Sequence, residues 1–121
     1  MEYKYGKPFD FETVDKVMDK LLKVEGINTF TISDEAMKEV SSLLNLDNHT
    51  DENEIRGIRN AVVMRLGNLI NEVLHVNEYG KRIPGSVTTK EDFDKFEHLN
   101  SYMSAITAVI DNKLWNGGYA V

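Results

Sequence analysis

The chain holds three histidines, and His75 stands three residues after Glu72. On a helix such an E-x-x-H pair projects both groups from one face, the spacing that di-iron carboxylate bundles use. Such a centre needs a second E-x-x-H and two further Glu directed inward. Glu72–His75 is the one such motif in the chain, and helical projection turns it away from the apolar stripe. His98, four residues after Asp94, also lies off the apolar face, and His49 sits in the polar stretch LDNHTDEN. All three read as surface or interface groups, and no metal is expected. With no cysteine there are no disulfides, thiolate metal sites or thiol nucleophiles. No G-x-S-x-G, G-x-G-x-x-G or Walker A motif is present. No catalytic residue and no cofactor emerges, so the first expectation is a non-enzymatic protein. An enzyme built on His75, His98 and nearby carboxylates is the third reading.

The cations are more suggestive. All four arginines lie between residues 56 and 82. Arg59 projects into the apolar stripe of its helix beside Val62 and Leu66. It either snorkels to solvent or pairs with an anion or a partner carboxylate. The loop segment EYGKRIPGS brings Lys81 and Arg82 together with Gly80 and Gly85, a combination of cations and backbone amides that can hold a phosphate. Arg56, Arg59, Lys81 and Arg82 around an inter-subunit pocket therefore define the second reading, a binder of a small anionic ligand. Tyr79 in the same loop is a partner-contact candidate.

Four helices must position these groups. Phe11, Val14, Val17, Met18, Leu21 and Leu22 recur at helical spacing and predict a first helix over 10–24, capped by Asp10 and stopped by Gly26. INTFTI (27–32) is β-rich but short, an extended connector or a lone strand. Ser33 caps a second helix that ends near Asn45, with Ala36, Met37, Val40, Leu43 and Leu44 as its stripe. Thr50 caps a third over about 51–76, whose stripe is Ile55, Ile58, Val62, Leu66, Leu69, Ile70, Val73 and Val76. Thr88 or Thr89 caps a fourth over about 90–114; Thr88 with Glu91 fits a capping box. Its inward residues are Phe93, Phe96, Leu99, Met103, Ile106, Ile110 and Leu114. Trp115 is expected to cap the hairpin core, the alternative being an aromatic docking tail. The fold class is all-α: residues 1–121 form one domain, with two short N-terminal helices (1–50) packed on a long antiparallel helical hairpin (51–121).

Both long helices carry a second strip of low charge. Gly57, Ala61, Met64, Asn68, Asn71 and His75 follow one another at intervals of 4 and 3 on the third helix. His98, Tyr102, Ala105, Val109 and Asn112 do the same on the fourth. A solvated helix face normally carries Lys and Glu. These strips predict a homo-oligomer in which hairpins of several chains pack together, the alternative being that the two short helices cover them within one chain. On the oligomer reading, Ala61→Glu or Ala105→Glu breaks assembly without unfolding the subunit.

The balance of the sequence narrows the partners. Its 121 residues carry a net charge of −6, with 28% charged and 41% hydrophobic residues. That composition is globular, and the acidity disfavours nucleic acid and anionic membrane. No apolar run approaches the ~20 residues of a membrane span. MEYKYGKPFDFE has no apolar core of a signal peptide, so a cytoplasmic location is expected. The leading expectation is a cytoplasmic protein that binds another protein as inhibitor, adaptor or structural component.

The stretch RLGNLINEVL (65–74) followed by FEHLNSYMSAITAVI (96–110) resembles the helical hairpin of phage-encoded sponges that sequester cyclic-nucleotide or ADP-ribose immune signals. Those proteins are small and oligomeric, so the resemblance implies an oligomeric nucleotide binder encoded by a phage or mobile element. It covers the hairpin alone. The Arg/Trp-rich helix start of that group is missing and residues 1–50 do not match it, so no binding residue is carried over.

Overall fold

The computed structural model describes residues 11–28, 31–48, 51–77 and 79–119. Four helices are present among them: α1 (Phe11–Leu21), α2 (Asp34–Leu43), α3 (Glu52–Val73) and α4 (Lys90–Asn116), with a single 3₁₀ turn at Leu46–Asn48. The all-α class and the long hairpin are as the periodicity predicts. The expected caps Asp10 and Thr50, and His49, fall outside the described residues.

Local chemistry sets the helix ends. Ser33 Oγ accepts from Ala36 N at 3.1 Å and starts α2. Asp51 Oδ1 accepts from Asn53 N at 2.7 Å and Glu54 N at 3.2 Å and starts α3. The capping box of α4 is Thr89–Asp92, one residue later than Thr88–Glu91. Thr89 Oγ1 accepts from Asp92 N, and Asp92 Oδ2 accepts from Thr89 N, both at 3.1 Å. Asp92 also meets His75 across the hairpin, whereas Glu91 pairs with Lys95 at 3.5 Å.

Three segments are shorter or tighter than the sequence pattern implies. α1 stops at Leu21 because Lys23 N and Val24 N bond back three residues, to the carbonyls of Lys20 and Leu21. α3 stops at Val73 rather than 76. Val76 N donates to Asn71 O at 2.8 Å and His75 N to Glu72 O at 3.2 Å, a Schellman closure with His75 left-handed at φ +57°. The described ends of the 27–32 segment pair with each other. Ile27 and Ile32 form one isolated bridge, Asn28 N donates to Thr31 O at 3.0 Å, and Ser33 N donates to Gly26 O at 2.9 Å.

α3 and α4 pack antiparallel along their length, α1 lies on α3, α2 lies on α4, and α1 touches α2. The two short helices therefore share one side of the hairpin. Arg65 ties α1 down: its Nη2 donates to Asp15 Oδ2 at 2.8 Å, and its guanidinium lies 4.5 Å above the Phe11 ring. The core comprises Val14, Leu21, Val40, Leu44, Ile55, Ile58, Val62, Leu66, Ile106, Ile110 and Leu114 among others, all fully buried.

That core does not run the length of the hairpin. At 1.5 Å per residue α1 and α2 are only about 15 Å long, against about 33 Å for α3 and about 40 Å for α4. Beyond Leu66 on α3 and before Leu99 on α4 no residue of either helix is fully covered. Leu69, Ile70, Val73 and Phe96 are half-buried, Phe93 is 54% exposed, and Val76 lies past the end of α3. Leu69, Ile70, Val73 and Met103 still pack against the core from half-buried positions, so the expected inward stripes hold that far and fail at Val76 and Phe93. Trp115 does not cap the core either: it is 67% exposed, and Leu114 fills the interior instead.

Tyr102 connects the layers. Its ring is buried and its hydroxyl donates to the Val24 carbonyl in the α1–α2 link. Burial, then Glu25 and Glu39, push the phenol above its ordinary pKa. Tyr102→Phe leaves that carbonyl without its donor and should cost about 1–2 kcal/mol. Chemical denaturation with an unchanged m-value would measure it.

Candidate functional site

The structure separates the residues that the sequence groups as an anion site. Arg56 and Arg59 lie in the first third of α3, about 25 Å of helix from its loop end. Arg56 Nη2 pairs with Glu52 Oε1 at 2.9 Å. Arg59 Nε donates to Asp111 Oδ1 at 2.7 Å, which joins α3 to α4 at the hairpin base. Its position in the apolar stripe is thus explained by a carboxylate of its own chain. Lys81 and Arg82 stand at the opposite end. Arg82 Nη2 donates to Ser86 O at 3.1 Å and so helps close the loop. The four cations do not converge within one chain.

The connection between α3 and α4 is ordered by its own hydrogen bonds. Asn77 Oδ1 accepts from Tyr79 N at 2.9 Å and Lys81 N at 3.0 Å. Asn77 N donates to Lys81 O at 2.7 Å, and Ile83 N to His75 O at 2.8 Å. Val76 and Arg82 form a bridge between the two arms. An open groove beside it is lined by Asn68, Asn71, Glu72, His75, Val76 and Ile83.

His75 closes this end of the hairpin. Its Nε2 lies 3.1 Å from Asp92 Oδ2, the oxygen that also accepts from Thr89 N. A carboxylate only accepts, so Nε2 carries the proton. His75 leaves the helix in a left-handed conformation and turns its Nε2 to Asp92, while Glu72 and His75 both line the groove. No group of three or more His, Asp or Glu that could hold a metal occurs among the described residues.

The Thr89 amide, and then His75, hold the Asp92 carboxyl below its ordinary value of 3.8. A depressed folded-state pKa contributes stability that is present above the unfolded value and lost as pH falls through the folded one. Asp92→Asn should therefore lower the melting temperature near neutral pH and erase part of the acid limb. Parent and variant should converge at acid pH, once the folded-state carboxyl is protonated, in melts run from pH 6 downward.

The two uncharged strips are covered by the chain itself over part of their length. Gly57 and Ala61 on α3, and Tyr102, Ala105 and Val109 on α4, are buried beneath the short helices. The lack of charge at these five positions follows from that cover, and these five offer no surface to another subunit. Met64, Asn68, Asn71, His98 and Asn112 remain exposed and His75 half-buried, and the His98 ring lies 4.4 Å from that of Tyr102.

Most of the exposed large apolar side chains lie elsewhere. Tyr79 (79%), Val87 (71%), Phe93 (54%) and Ile83 (47%) occupy the loop and the first turn of α4. Sequence reading found Tyr79 and missed the other three. Phe93 keeps helical register with true core residues, and only the shortness of α1 and α2 reveals that they leave half of it uncovered.

No family model, no curated protein and no solved structure matches the chain. The likeness to phage sponges therefore rests on the hairpin sequence alone. No helix among the described residues is long and apolar enough to cross a membrane.

Proposed function

We propose that this chain is a non-enzymatic, cytoplasmic protein that binds another protein through the loop end of its hairpin. One observation carries the reading: of seven exposed large hydrophobic side chains among the described residues, four fall between Tyr79 and Phe93. Apolar groups gathered on a rigid support mark docking surfaces, where aromatic anchors dominate the energy. The support here is the Asn77-centred hydrogen-bond network and the His75–Asp92 contact, which present Tyr79 and Ile83 with little ordering left to do on binding. A role as inhibitor, adaptor or structural component fits such a surface.

A photo-crosslinking residue placed at 79, 87 or, as a control, at Lys16 on α1 tests this in cells that naturally make the protein. Discrete protein adducts at 79 and 87 and none at 16 are expected. No adduct, or the same adducts from all three positions, would overturn the reading.

A further inference from the structure

Resting on the docking surface above, we propose that its partner presents an acidic segment: an apolar anchor flanked by Asp or Glu side chains that meet Lys81, Arg82 and Lys90. Between Glu72 and Glu91 the chain holds these three cations against one carboxylate, Glu78, a charge of +2. The rest of the chain therefore carries −8. All three cations are exposed and interleave with exposed Tyr79, Ile83 and Val87. The arginines of α3 are an equally cationic run, but each is matched within the chain: Arg56 by Glu52 at 2.9 Å, Arg59 by Asp111 at 2.7 Å and Arg65 by Asp15 at 2.8 Å. At the loop, Lys81 and Lys90 have no ion-pair partner among the described residues, and Arg82 donates to the hydroxyl and carbonyl of Ser86, which leave its charge unbalanced. Carboxylates nearby are committed or turned elsewhere. Asp92 accepts from Thr89 N and meets His75, Glu91 pairs with Lys95, and Asp94 lines a separate groove with Glu97 and His98. Lys90 is also the first residue of α4, where the helix dipole disfavours a cation, so its charge does not serve the helix.

The neighbouring groups select a protein segment over other anions. The groove beside the loop sets Val76 and Ile83 next to the side-chain amides of Asn68 and Asn71. It suits an apolar side chain whose flanking peptide groups bond to those amides. A nucleic acid would satisfy the cations with phosphate but leave Ile83, Val87 and Phe93 without apolar contact. A polyanion long enough to pass the loop would also run on against the acidic body of the chain. A short acidic segment meets the loop alone, because charges more than about 8 Å away are screened at physiological salt. Attraction at the loop and repulsion elsewhere then orient the partner toward this end of the hairpin.

Photo-crosslinking from position 79 in cells that naturally make the protein, with the crosslinked peptide sequenced by mass spectrometry, tests the proposal. The partner segment at the crosslink should carry net negative charge. Lys81→Glu with Lys90→Glu places like charges across the contact and should cut the adduct yield at least about 10-fold. Lys81→Gln with Lys90→Gln, which only removes the attraction, should cut it by a smaller factor. Lys20→Glu with Lys23→Glu makes the same change in net charge at the end of α1 and should leave the yield within about twofold of the parent. All these positions are exposed, and every variant should keep the far-ultraviolet circular dichroism of the parent. A neutral or basic partner segment would overturn the acidic assignment and leave the docking surface in place. So would a yield that the Lys81→Glu, Lys90→Glu pair does not change, or that the α1 pair lowers equally. Adducts to nucleic acid or to a second copy of this chain, or none at 79 and 87, would overturn both.

Discussion

Replacing Gly26 with alanine is expected to remove about 2–4 kcal/mol of stability. Gly26 holds φ +88°, a conformation that L side chains rarely adopt. An added methyl would overlap Ser33 Oγ and lie 3.1 Å from Ser33 Cβ. Ser33 is the N-cap of α2, and its own amide donates to the Gly26 carbonyl at 2.9 Å. Two costs therefore combine: backbone strain of about 1–3 kcal/mol, and about 1 kcal/mol from a displaced cap. The total is a large part of the 5–15 kcal/mol that usually separates folded from unfolded domains. A loss of roughly 10 °C in melting temperature should follow. A change under 2 °C would mean that the link between α1 and α2 relaxes freely around residue 26.

Ala61→Glu is expected to unfold the subunit rather than dissociate an assembly. Ala61 is fully buried under the short helices. A glutamate there overpacks the core, at about 1–3 kcal/mol. It also places a carboxylate away from water with no partner, which costs several kcal/mol more. Circular dichroism at 25 °C should show lost helix, or the melting temperature should fall by at least about 15 °C. Val63→Glu is the matched comparison. Only two residues along α3 but on the open side, it should move stability by less than about 1 kcal/mol. If both variants melt like the parent, the strip through Ala61 faces solvent and the placement of α1 and α2 is wrong.

The sequence shows the helices more clearly than their coverage. Ser33, and the apolar residues spaced by three and four, mark α2 and the hairpin, because capping and periodicity are local properties. The end of α3 is less legible: His75 takes the left-handed position that glycine usually fills, and only its contact with Asp92, seventeen residues away, reveals why. Partners in space were the larger difficulty. A strip of Gly57, Ala61, Tyr102 and Val109 reads the same whether its cover comes from its own chain or another. The helix lengths held a usable signal, since two short helices cannot shield both sides of a hairpin twice as long. Of the proposed docking residues, Tyr79 stands out in a loop, whereas Phe93 and Val87 carry no mark of exposure in their spacing.

The unequal cover along the hairpin also divides the molecule dynamically. At the base, α1, α2 and the facing halves of α3 and α4 share one set of buried side chains and should open only when the whole chain unfolds. Toward the loop, residues 67–98 depend on half-buried contacts and the His75–Asp92 contact, so that segment should open on its own, at a fraction of the global free energy. Amide hydrogen exchange would show two tiers of protection: slow at Ile58, Val62, Ile106 and Ile110, faster from Asn68 to Val73 and from Phe93 to Glu97. A partner seated on the loop half would merge the tiers, so the exchange pattern reports occupancy even when the partner's identity is unknown.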